Sequence, residues 1–455
     1  MLFKLVPSGT LCLALAALAC ALKSSVYDPL SHPMFQLSPD EETAFFLESV
    51  LSFVAGAGAS TAEVLRVATQ IVPGSEESVH DAFYAMAQSI HALAESTDPR
   101  VDPAGARENY FHASSYYRAA ATFLVGDQED PRLISLWDKQ IADFDKAANL
   151  LKPPAEPFNV KAKNSSIGAY RVPGYFFRAS SNDSKKLPTV LVTTGYDGDQ
   201  QGAYHTLCTQ VLLRGMNCVV YEGPGQPSPR RYQNLTFIPD WWTATSPVVD
   251  HIVSRPEVDA SKIILLGYSF GGTLAPLAAA YEPRISAVVA IDGLSSLQQD
   301  LKVQFGSLTG LFDAGKVDEF NKYLLDLSGN KSEPINKRYV IQQGLYAFNT
   351  KSPFDWFTRL GEISITPAIV ERMGSRPVYI ANGQDDTRLL NQSNIAYDQF
   401  VNGRRNGKAL TYFHEFPIRL GSGEHCSLGA ETQLFTSVVG WLSKVWGGYR
   451  FSDNQ

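Results

Sequence analysis

The sequence has 455 residues and a formal net charge of −7, from 39 basic and 46 acidic residues. A nucleic-acid-binding chain needs a basic face, so this balance argues against a nucleic-acid partner. Hydrophobic residues make up 44% of the chain and charged residues 19%, as in a globular protein with a sizeable core. No apolar run reaches the roughly 18 to 20 residues of a stable membrane span.

Residues 1–21 have the pattern of a signal peptide. Lys4 supplies the positive charge, LCLALAALA is a short apolar segment, and Ala19-Cys20-Ala21 is a small-residue cleavage site. The alternative is a buried N-terminal helix. Sequons for N-glycosylation support secretory transit and a secreted glycoprotein. They lie at Asn164, Asn182, Asn234, Asn330 and Asn391.

Cleavage of the leader would leave three cysteines, Cys208, Cys218 and Cys426. Three are too few for a disulfide scaffold. Cys208 and Cys218 could form a pair or remain two buried thiols, and the sequence leaves both options open. The chain contains no C-x-x-C and no His/Cys cluster with zinc spacing, so we predict no metal and no cofactor.

Residues 40–151 carry the pattern of an all-helical domain. The stretch SPDEE at residues 38–42 offers an N-cap, a proline at the first helical position and acids in the first turn. Apolar residues then recur at spacings of three and four up to about residue 151, with no strand signal. We expect a helical cap domain over this range.

The proline-rich stretch KPPAEP, residues 152–157, marks the best domain boundary. After it, buried-strand runs such as TVLVTTG, KIILLG and PVYIANG alternate with helical segments. This alternation predicts an α/β domain at residues 156–450, built on a mostly parallel central sheet with helices on both faces. A mostly helical insertion at about residues 294–365 interrupts it.

The stretch Gly267-Tyr268-Ser269-Phe270-Gly271 fits G-x-S-x-G between a predicted strand and a predicted helix. The glycines allow a sharp turn that holds the serine hydroxyl out at the top of the sheet. A helix N-terminus behind the serine helps to stabilise negative charge. We interpret Ser269 as a nucleophile, and the alternative is a structural turn.

A serine needs a base and an acid, and in this architecture they follow it in the order acid, then histidine. Only two histidines follow Ser269. His425 lies in a Gly-rich loop before the last helix and is favoured over His414, which lies inside a predicted strand. Asp386, just past a strand and a Gly turn, is the favoured acid, and Asp385 is the alternative.

Two backbone N–H groups are expected to form an oxyanion hole. We assign them to Phe270, directly after the nucleophile, and to Tyr196, in the loop after an earlier strand. Glu222 and Asp292 also follow strands, and loop bracing is the preferred interpretation of each.

At these residues the sequence resembles α/β-hydrolases that carry an N-terminal helical domain. This group includes FrsA-like esterases, 2,6-dihydroxypseudooxynicotine hydrolase and fungal polyketide-shortening hydrolases of melanin-type pathways. The resemblance runs from about residue 40 to 447. The matching stretches are RENYFHASSYYRAAATFL, TTGYDGDQQGAY, YEGPGQ, TSPVVDHIVSRPEVDASKIILLGYSFGGTLAP and GSGEHCS. One departure is GQPSPRR, where relatives usually read Gly-Gln-Gly.

The resemblance implies the α/β-hydrolase fold and a triad of Ser269, Asp386 and His425. It also implies that the helical domain covers the site. Several relatives cleave a carbon–carbon bond beside a ketone, and relatives are often homodimers. Substrate contacts are implied for an aromatic helix, with packing between helices as the alternative for at least half of the candidates. These are Tyr110, His112, Tyr116 and Tyr117.

The sequence therefore predicts a secreted serine hydrolase acting on an ester or a ketone C–C bond of a small organic molecule in polyketide-type secondary metabolism. Alternatives within the enzyme class are a general carboxylesterase, a prolyl-oligopeptidase-like peptidase and a cyclase or lyase that uses the triad as acid and base. A non-catalytic ligand binder on the same scaffold is the alternative outside that class.

Overall fold

The structure is a computed structural model that describes residues 34–182 and 185–452. The expected signal peptide lies outside the described residues. Helices occupy the N-terminal part of the described residues, and their first strand begins at Glu156.

Between residues 34 and 155, five α-helices form the helical part of the described chain. Helix α1 begins after Asp40, whose carboxylate accepts the Thr43 N–H, and two acids in its first turn face the positive end of the helix dipole. Helix α4 begins in the same way after Asp102, with Pro103 at its first position. The helices are α1 Glu41–Ser52, α2 Thr61–Ala68, α3 Glu76–Ser96, α4 Pro103–Ala121 and α5 Arg132–Asn149.

An eight-stranded sheet follows, in the order β1-β2-β4-β3-β5-β6-β7-β8. Strands β1 and β2 pair antiparallel with their neighbours, and the pairs from β4 to β8 are parallel. The sheet is therefore mostly parallel, as the sequence predicts. The strands are β1 Glu156–Asn164, β2 Gly168–Phe177, β3 Leu187–Thr193, β4 Asn217–Tyr221, β5 Val258–Tyr268, β6 Ile285–Ile291, β7 Val378–Gly383 and β8 Thr411–Phe416.

Helices connect these strands on both faces of the sheet, and buried apolar side chains from both faces form two large clusters. A π-helical turn at Tyr204–Cys208 joins α6 to α7. The helices are α6 Gln200–Ala203, α7 Thr209–Leu213, α8 Pro227–Gln233, α9 Trp242–Val253, α10 Gly271–Ala279, α11 Leu297–Phe305, α12 Thr309–Asp313, α13 Val317–Gly329, α14 Ile335–Ala347, α15 Pro353–Gly361, α16 Pro367–Arg372, α17 Gln392–Asn402, α18 Gly407–Leu410 and α19 Glu431–Val445.

Helices α11 to α16 lie between β6 and β7 and correspond to the expected helical insertion. Among the described helices, none combines the length and the apolar character that a membrane crossing requires. Cys208 and Cys218 are joined by a disulfide, which answers the question that the sequence left open. Cys426 is buried.

The sequons differ in their surroundings. Four of the five asparagines are exposed, whereas Asn164 is 3% exposed. The Asn164 side-chain amide faces Asp240 and Thr243. A glycan cannot be accommodated on a buried, hydrogen-bonded amide in the folded chain, so the prediction of a glycan at Asn164 does not fit this structure.

Candidate active site

Ser269 occupies a tight turn between β5 and α10. Its φ of +58° is in the left-handed region, which non-glycine residues rarely adopt. A Cβ on Gly267 would lie 2.0 Å from the carbonyl oxygen of Gly271, and a Cβ on Gly271 would lie 2.3 Å from that of Thr193. Both positions of G-x-S-x-G therefore require glycine, for the steric reason that the motif suggests.

His425 bridges the serine and an aspartate. Its Nε2 lies 2.9 Å from Ser269 Oγ, and its Nδ1 lies 2.7 Å from Asp386 Oδ2. The other carboxylate oxygen of Asp386 accepts the Arg388 backbone N–H at 2.8 Å. The structure thus brings together the three residues that the sequence proposes for the triad, from loops that follow β5, β7 and β8.

The charges of Asp386 and His425 stabilise each other. Burial alone would lower the pKa of His425, but the neighbouring Asp386 carboxylate raises it well above its usual value. Burial would likewise raise the pKa of Asp386, but the charge and hydrogen bond of His425 lower it. The arrangement therefore favours an ionised carboxylate beside the imidazole and stabilises the protonated imidazole.

The alternatives to these residues lie elsewhere. The ring of His414, on β8, packs edge-on against Phe416 with centroids 4.4 Å apart. The backbone N–H of Asp385 donates to the carbonyl of Gly423, and the Asp385 side chain lines a groove behind the triad.

A second buried carboxylate, Asp292, lies behind His425. Its Oδ2 is 3.7 Å from His425 Nδ1. Asp292 accepts the backbone N–H of Gly383 at 3.0 Å and also that of Cys426. Burial and the charge of Asp386 raise the pKa of Asp292. The sequence indicates only a loop-bracing residue here, because nothing in the pattern shows that two catalytic loops converge on this strand end.

The Tyr196 and Phe270 amides remain available at the serine. Within residues 34–182 and 185–452, neither N–H has a hydrogen-bond acceptor. The backbone next to Tyr196 passes close to the nucleophile, since a Cβ on Gly195 would lie 3.3 Å from Ser269 Oγ. Two unpartnered amides beside a serine hydroxyl suit an oxyanion hole.

Two cavities open from Ser269 and His425. The first, which we call the aromatic lobe, has a volume of about 140 Å³ and lies between the helical part and the loop after β3. The second, the wide lobe, has a volume of about 560 Å³ and lies against the insertion. The lobes share part of their lining. The shared residues are Glu42, Phe45, Asp197, Ser269, Tyr339 and His425.

The four substrate-contact candidates on α4 do not occur among the described residues that line either lobe. Tyr110 donates to Glu95 at 2.9 Å, and Tyr116 donates to Glu63 at 2.6 Å. His112 also bonds to Glu63. Tyr117 packs near Tyr84 and His91. All four therefore make packing contacts between helices, the alternative that the sequence analysis left open for them.

The helical part does line the site, but with residues other than the four candidates on α4. Helix α1 contributes Glu42 and Phe45 to both lobes, and α4 contributes Arg118 to the aromatic lobe. The sequence marks α1 as a helix but contains no signal for its contact with the triad. The stretch RENYFHASSYYRAAATFL, which carries part of the resemblance, contributes Arg118, Thr122 and Phe123 to the aromatic lobe.

Two further loop features brace the site. Glu222 accepts the backbone N–H groups of Gln200 and Ser228, as expected for a bracing residue. Burial raises its pKa to about 7. The divergent GQPSPRR stretch forms α8, where Arg231 stacks on Trp137 of the helical part.

Asp292, His425 and Cys426 lie close enough together to hold a metal ion. Both ring nitrogens of His425 are already hydrogen-bonded to Ser269 and Asp386. The triad thus uses the atoms that a metal would need, and the absence of a metal role stays a prediction.

The chain is similar to known hydrolases in sequence and in fold. A model of the dienelactone hydrolase family matches residues 177–324. Hydrolase LUC6 from Fusarium sp is 27% identical over 424 residues, which cover 91% of this chain and 99% of that protein. The 20-hydroxy-prefusarin hydrolase FUS2 of Gibberella moniliformis is 28% identical over 316 residues, which cover 68% and 74% of the two chains.

The solved structure of 2,6-dihydroxy-pseudo-oxynicotine hydrolase covers 89% of this chain and 98% of its own, with a TM-score of 0.65 and 19% identity. Wild-type AbyA5 covers 90% and 95%, with a TM-score of 0.58 and 16% identity. At these identities the likeness concerns the fold. The fold and the hydrolase relatives together identify the chain as an enzyme of the α/β-hydrolase type with an N-terminal helical domain.

Proposed function

We propose that this enzyme is a serine hydrolase that cleaves an ester, or a C–C bond beside a ketone, in a small polyketide-type molecule. The observation that carries the proposal is the hydrogen-bonded chain Asp386–His425–Ser269. It ends at a serine between two cavities and beside two unpartnered amides. The name of FUS2, a 20-hydroxy-prefusarin hydrolase, supports a small natural-product substrate.

In the first step, Ser269 Oγ attacks the substrate carbonyl while His425 Nε2 takes the hydroxyl proton. Asp386 holds the imidazole by Nδ1 and stabilises its positive charge. The carbonyl oxygen becomes an oxyanion, which the N–H groups of Tyr196 and Phe270 stabilise. The tetrahedral intermediate then collapses to an acyl-enzyme.

The leaving group departs with the proton held by His425. In an ester this group is an alcohol, and the proton goes to oxygen. In a β-diketone it is an enolate, and His425 protonates carbon. Water then gives a proton to His425 and attacks the acyl-enzyme, so that a carboxylic acid is released and Ser269 recovers its proton.

A fluorophosphonate probe tests the nucleophile. We expect the wild type to be labelled and Ser269→Ala to remain unlabelled. Ser49→Ala is the matched control. Ser49 lines the same site, and among the described residues its hydroxyl bonds only to the Phe46 carbonyl of its own helix. Equal labelling of wild type and Ser269→Ala, or labelling of neither, would contradict the proposal.

Turnover in H₂¹⁸O separates hydrolysis from use of the triad for cyclisation or elimination. Hydrolysis places one ¹⁸O atom in the released carboxylic acid. A product without ¹⁸O would favour the cyclase or lyase alternative. Absence of labelling, together with tight binding of the unchanged ligand, would favour a non-catalytic binder.

Secretory transit is a second part of the proposal. It rests on the leader-like residues 1–21, the four exposed sequon asparagines and the Cys208–Cys218 disulfide, which oxidising compartments favour. Treatment of the protein from its native host with an endoglycosidase should increase its gel mobility. Unchanged mobility together with an intact N-terminal Met1 would contradict it.

A further inference from the structure

The two lobes at Ser269 differ in size and in lining. The aromatic lobe has walls of Phe45, Phe46, Phe53 and Phe123 and a volume of about 140 Å³. The wide lobe is about four times larger, at about 560 Å³. Since Ser269 belongs to both linings, a carbonyl at the nucleophile has one substituent directed to each side.

The volume of the aromatic lobe sets the size of its occupant. An apolar protein cavity of about 150 Å³ binds benzene. A lobe of about 140 Å³ therefore accepts a single six-membered ring or an apolar group of that size. A fused bicyclic ring would require its walls to move.

The buried charges in the aromatic lobe are paired. Arg118 Nε lies 2.5 Å from Asp199 Oδ2, and Glu42 Oε2 lies 2.9 Å from the Arg388 guanidinium. The Asp197 carboxylate, which also lines the lobe, is exposed. Because the buried charges already have partners, the lobe favours a neutral substrate group. The aromatic walls remain as its recognition surface.

The wide lobe has a mixed surface. Leu297, Leu301 and Leu308 supply apolar area, whereas Tyr323 and Lys337 supply a hydroxyl and an ammonium group at its more exposed side. Such a surface suits a long chain that carries oxygen substituents, since apolar carbon and polar groups both find partners.

We infer that the substrate is bipartite: a neutral, ring-sized apolar group in the aromatic lobe and a longer, oxygenated chain in the wide lobe, with the scissile carbonyl between them. This inference rests on the proposed function, because it takes Ser269 as the point of attack.

Two matched substitutions test the assignment. Ser49→Phe fills the aromatic lobe, and the hydroxyl that it removes donates to the Phe46 carbonyl of the same helix. Ser307→Phe makes the same chemical change at an exposed position on the wide lobe. Ser49→Ala controls for loss of the hydroxyl without added volume.

The substrates are two series of esters, phenyl alkanoates and alkyl benzoates, each with chains of two to twelve carbons. They present the ring on either side of the carbonyl. The 2-naphthyl and naphthoate analogues extend the ring alone. In the favoured series, we expect wild-type kcat/KM to fall about tenfold or more from phenyl to naphthyl, the usual cost of a misfit in an apolar pocket. We expect it to rise with chain length.

Ser49→Phe should remove the advantage of a phenyl over a methyl group and leave the chain-length dependence intact. Ser307→Phe should do the reverse. Ser49→Ala adds no volume to the lobe and should therefore keep the preference for phenyl over naphthyl. The inference is overturned if wild type accepts naphthyl and phenyl equally. It is also overturned if both phenylalanine variants change the same selectivity.

Alkyl phenyl ketones, which lack a hydrolysable ester bond, separate this inference from the proposed function. Their binding to folded wild type and Ser49→Phe can be followed by calorimetry even if no ester is cleaved. Loss of ketone binding in Ser49→Phe, together with no fluorophosphonate labelling of the wild type, would contradict the hydrolase proposal and support the assignment of the lobes. Esterase activity together with equal ketone binding by wild type and Ser49→Phe would support the hydrolase proposal and contradict the assignment of the lobes.

Discussion

The carboxyl edge of the sheet and helix α1 meet at Ser269, but they contribute in different ways. The sheet edge supplies Ser269, Asp386 and His425, the groups that we propose to move protons, each in a loop directly after a strand. Helix α1 supplies walls, with Glu42 and Phe45 in both lobes. The centroid of the Phe45 ring lies 6.3 Å from that of His425, so the wall reaches the chemistry itself.

We therefore expect the sheet edge to determine the chemical step and helix α1 to determine which substrates bind. A strand end fixes its loop residues closely, so their replacement should remove turnover. A packed helix can shift by a fraction of an ångström, so its replacement should change affinity and selectivity more than the chemical step. Substitutions at the sheet edge should therefore lower kcat more than substitutions in α1.

The largest effect is expected at the triad acid. Asp386→Asn should lower kcat by roughly 10³- to 10⁴-fold, because an amide cannot hold the imidazole in the correct tautomer or stabilise its charge. Asp385→Asn is the matched control one residue away and should retain near wild-type kcat. Steady-state kinetics on a short-chain ester measure both. A larger loss in Asp385→Asn would reverse the assignment of the acid.

The meeting of Ser269, Asp386 and His425 could be predicted from the sequence because short-range rules constrain these positions. Glycines on both sides of Ser269 and the order of strand-end residues indicate a candidate nucleophile, acid and base without any knowledge of packing. The same rules gave the parallel sheet. The aromatic residues of α4 were a poor guide, since Tyr116 looks the same in sequence whether it faces a ligand or Glu63.

Asp292 and helix α1 could not be predicted for a different reason. Their roles arise from contacts between distant parts of the chain. Arg388, for example, meets Glu42 across 346 residues of sequence. Composition and periodicity carry no information on such a pair, and burial of Asp292 against two converging loops appears only after the fold is assembled.

The second prediction concerns Asp292, which we expect to be a positioning residue. Asp292→Asn retains one acceptor oxygen and loses the other, which should lower kcat/KM about tenfold, as for one charge-assisted hydrogen bond. Burial raises the pKa of Asp292 to about 7, so above that pH its carboxylate, 3.7 Å from Nδ1, stabilises the protonated imidazole, and the substitution removes this charge. The pKa of His425 should fall, so the acidic limb of the kcat/KM profile should move to lower pH.

A purely structural role for Asp292 would lower the melting temperature without moving that limb. The pH profile is therefore the deciding measurement. The thermal unfolding of Asp292→Asn at one fixed pH serves as its control.

The third prediction concerns Arg388, which connects α1 to the sheet edge. The Arg388 guanidinium lies 3.6 Å from the centroid of the Phe45 ring and 2.9 Å from Glu42 Oε2, while its backbone N–H bonds to Asp386. Arg388→Gln removes the stacking and the ion pair but keeps the backbone bond. We expect KM to rise about fivefold with little change in kcat, since such contacts contribute ~1 kcal/mol.

Glu42→Gln breaks the same ion pair from the other side. In a double-mutant cycle, the loss in the double variant should be smaller than the sum of the two single losses. Additive losses would show that Glu42 and Arg388 act independently. A fall in kcat as large as that of Asp386→Asn would contradict the view that α1 affects binding more than the chemical step.

The smallest effect is expected at Glu48, on the face of α1 that meets the loop containing Glu424. Burial, and then the charge of Glu424, raise the pKa of Glu48 to about 7. Between its ordinary pKa of 4.5 and about 7, the folded protein holds a proton that the unfolded chain has released, so stability falls as pH rises through this window. Glu48→Gln should therefore unfold at a higher temperature than wild type at pH 8 and at about the same temperature at pH 4. A gain that is equal at both pH values would assign the effect to packing rather than to the buried charge between α1 and the sheet edge.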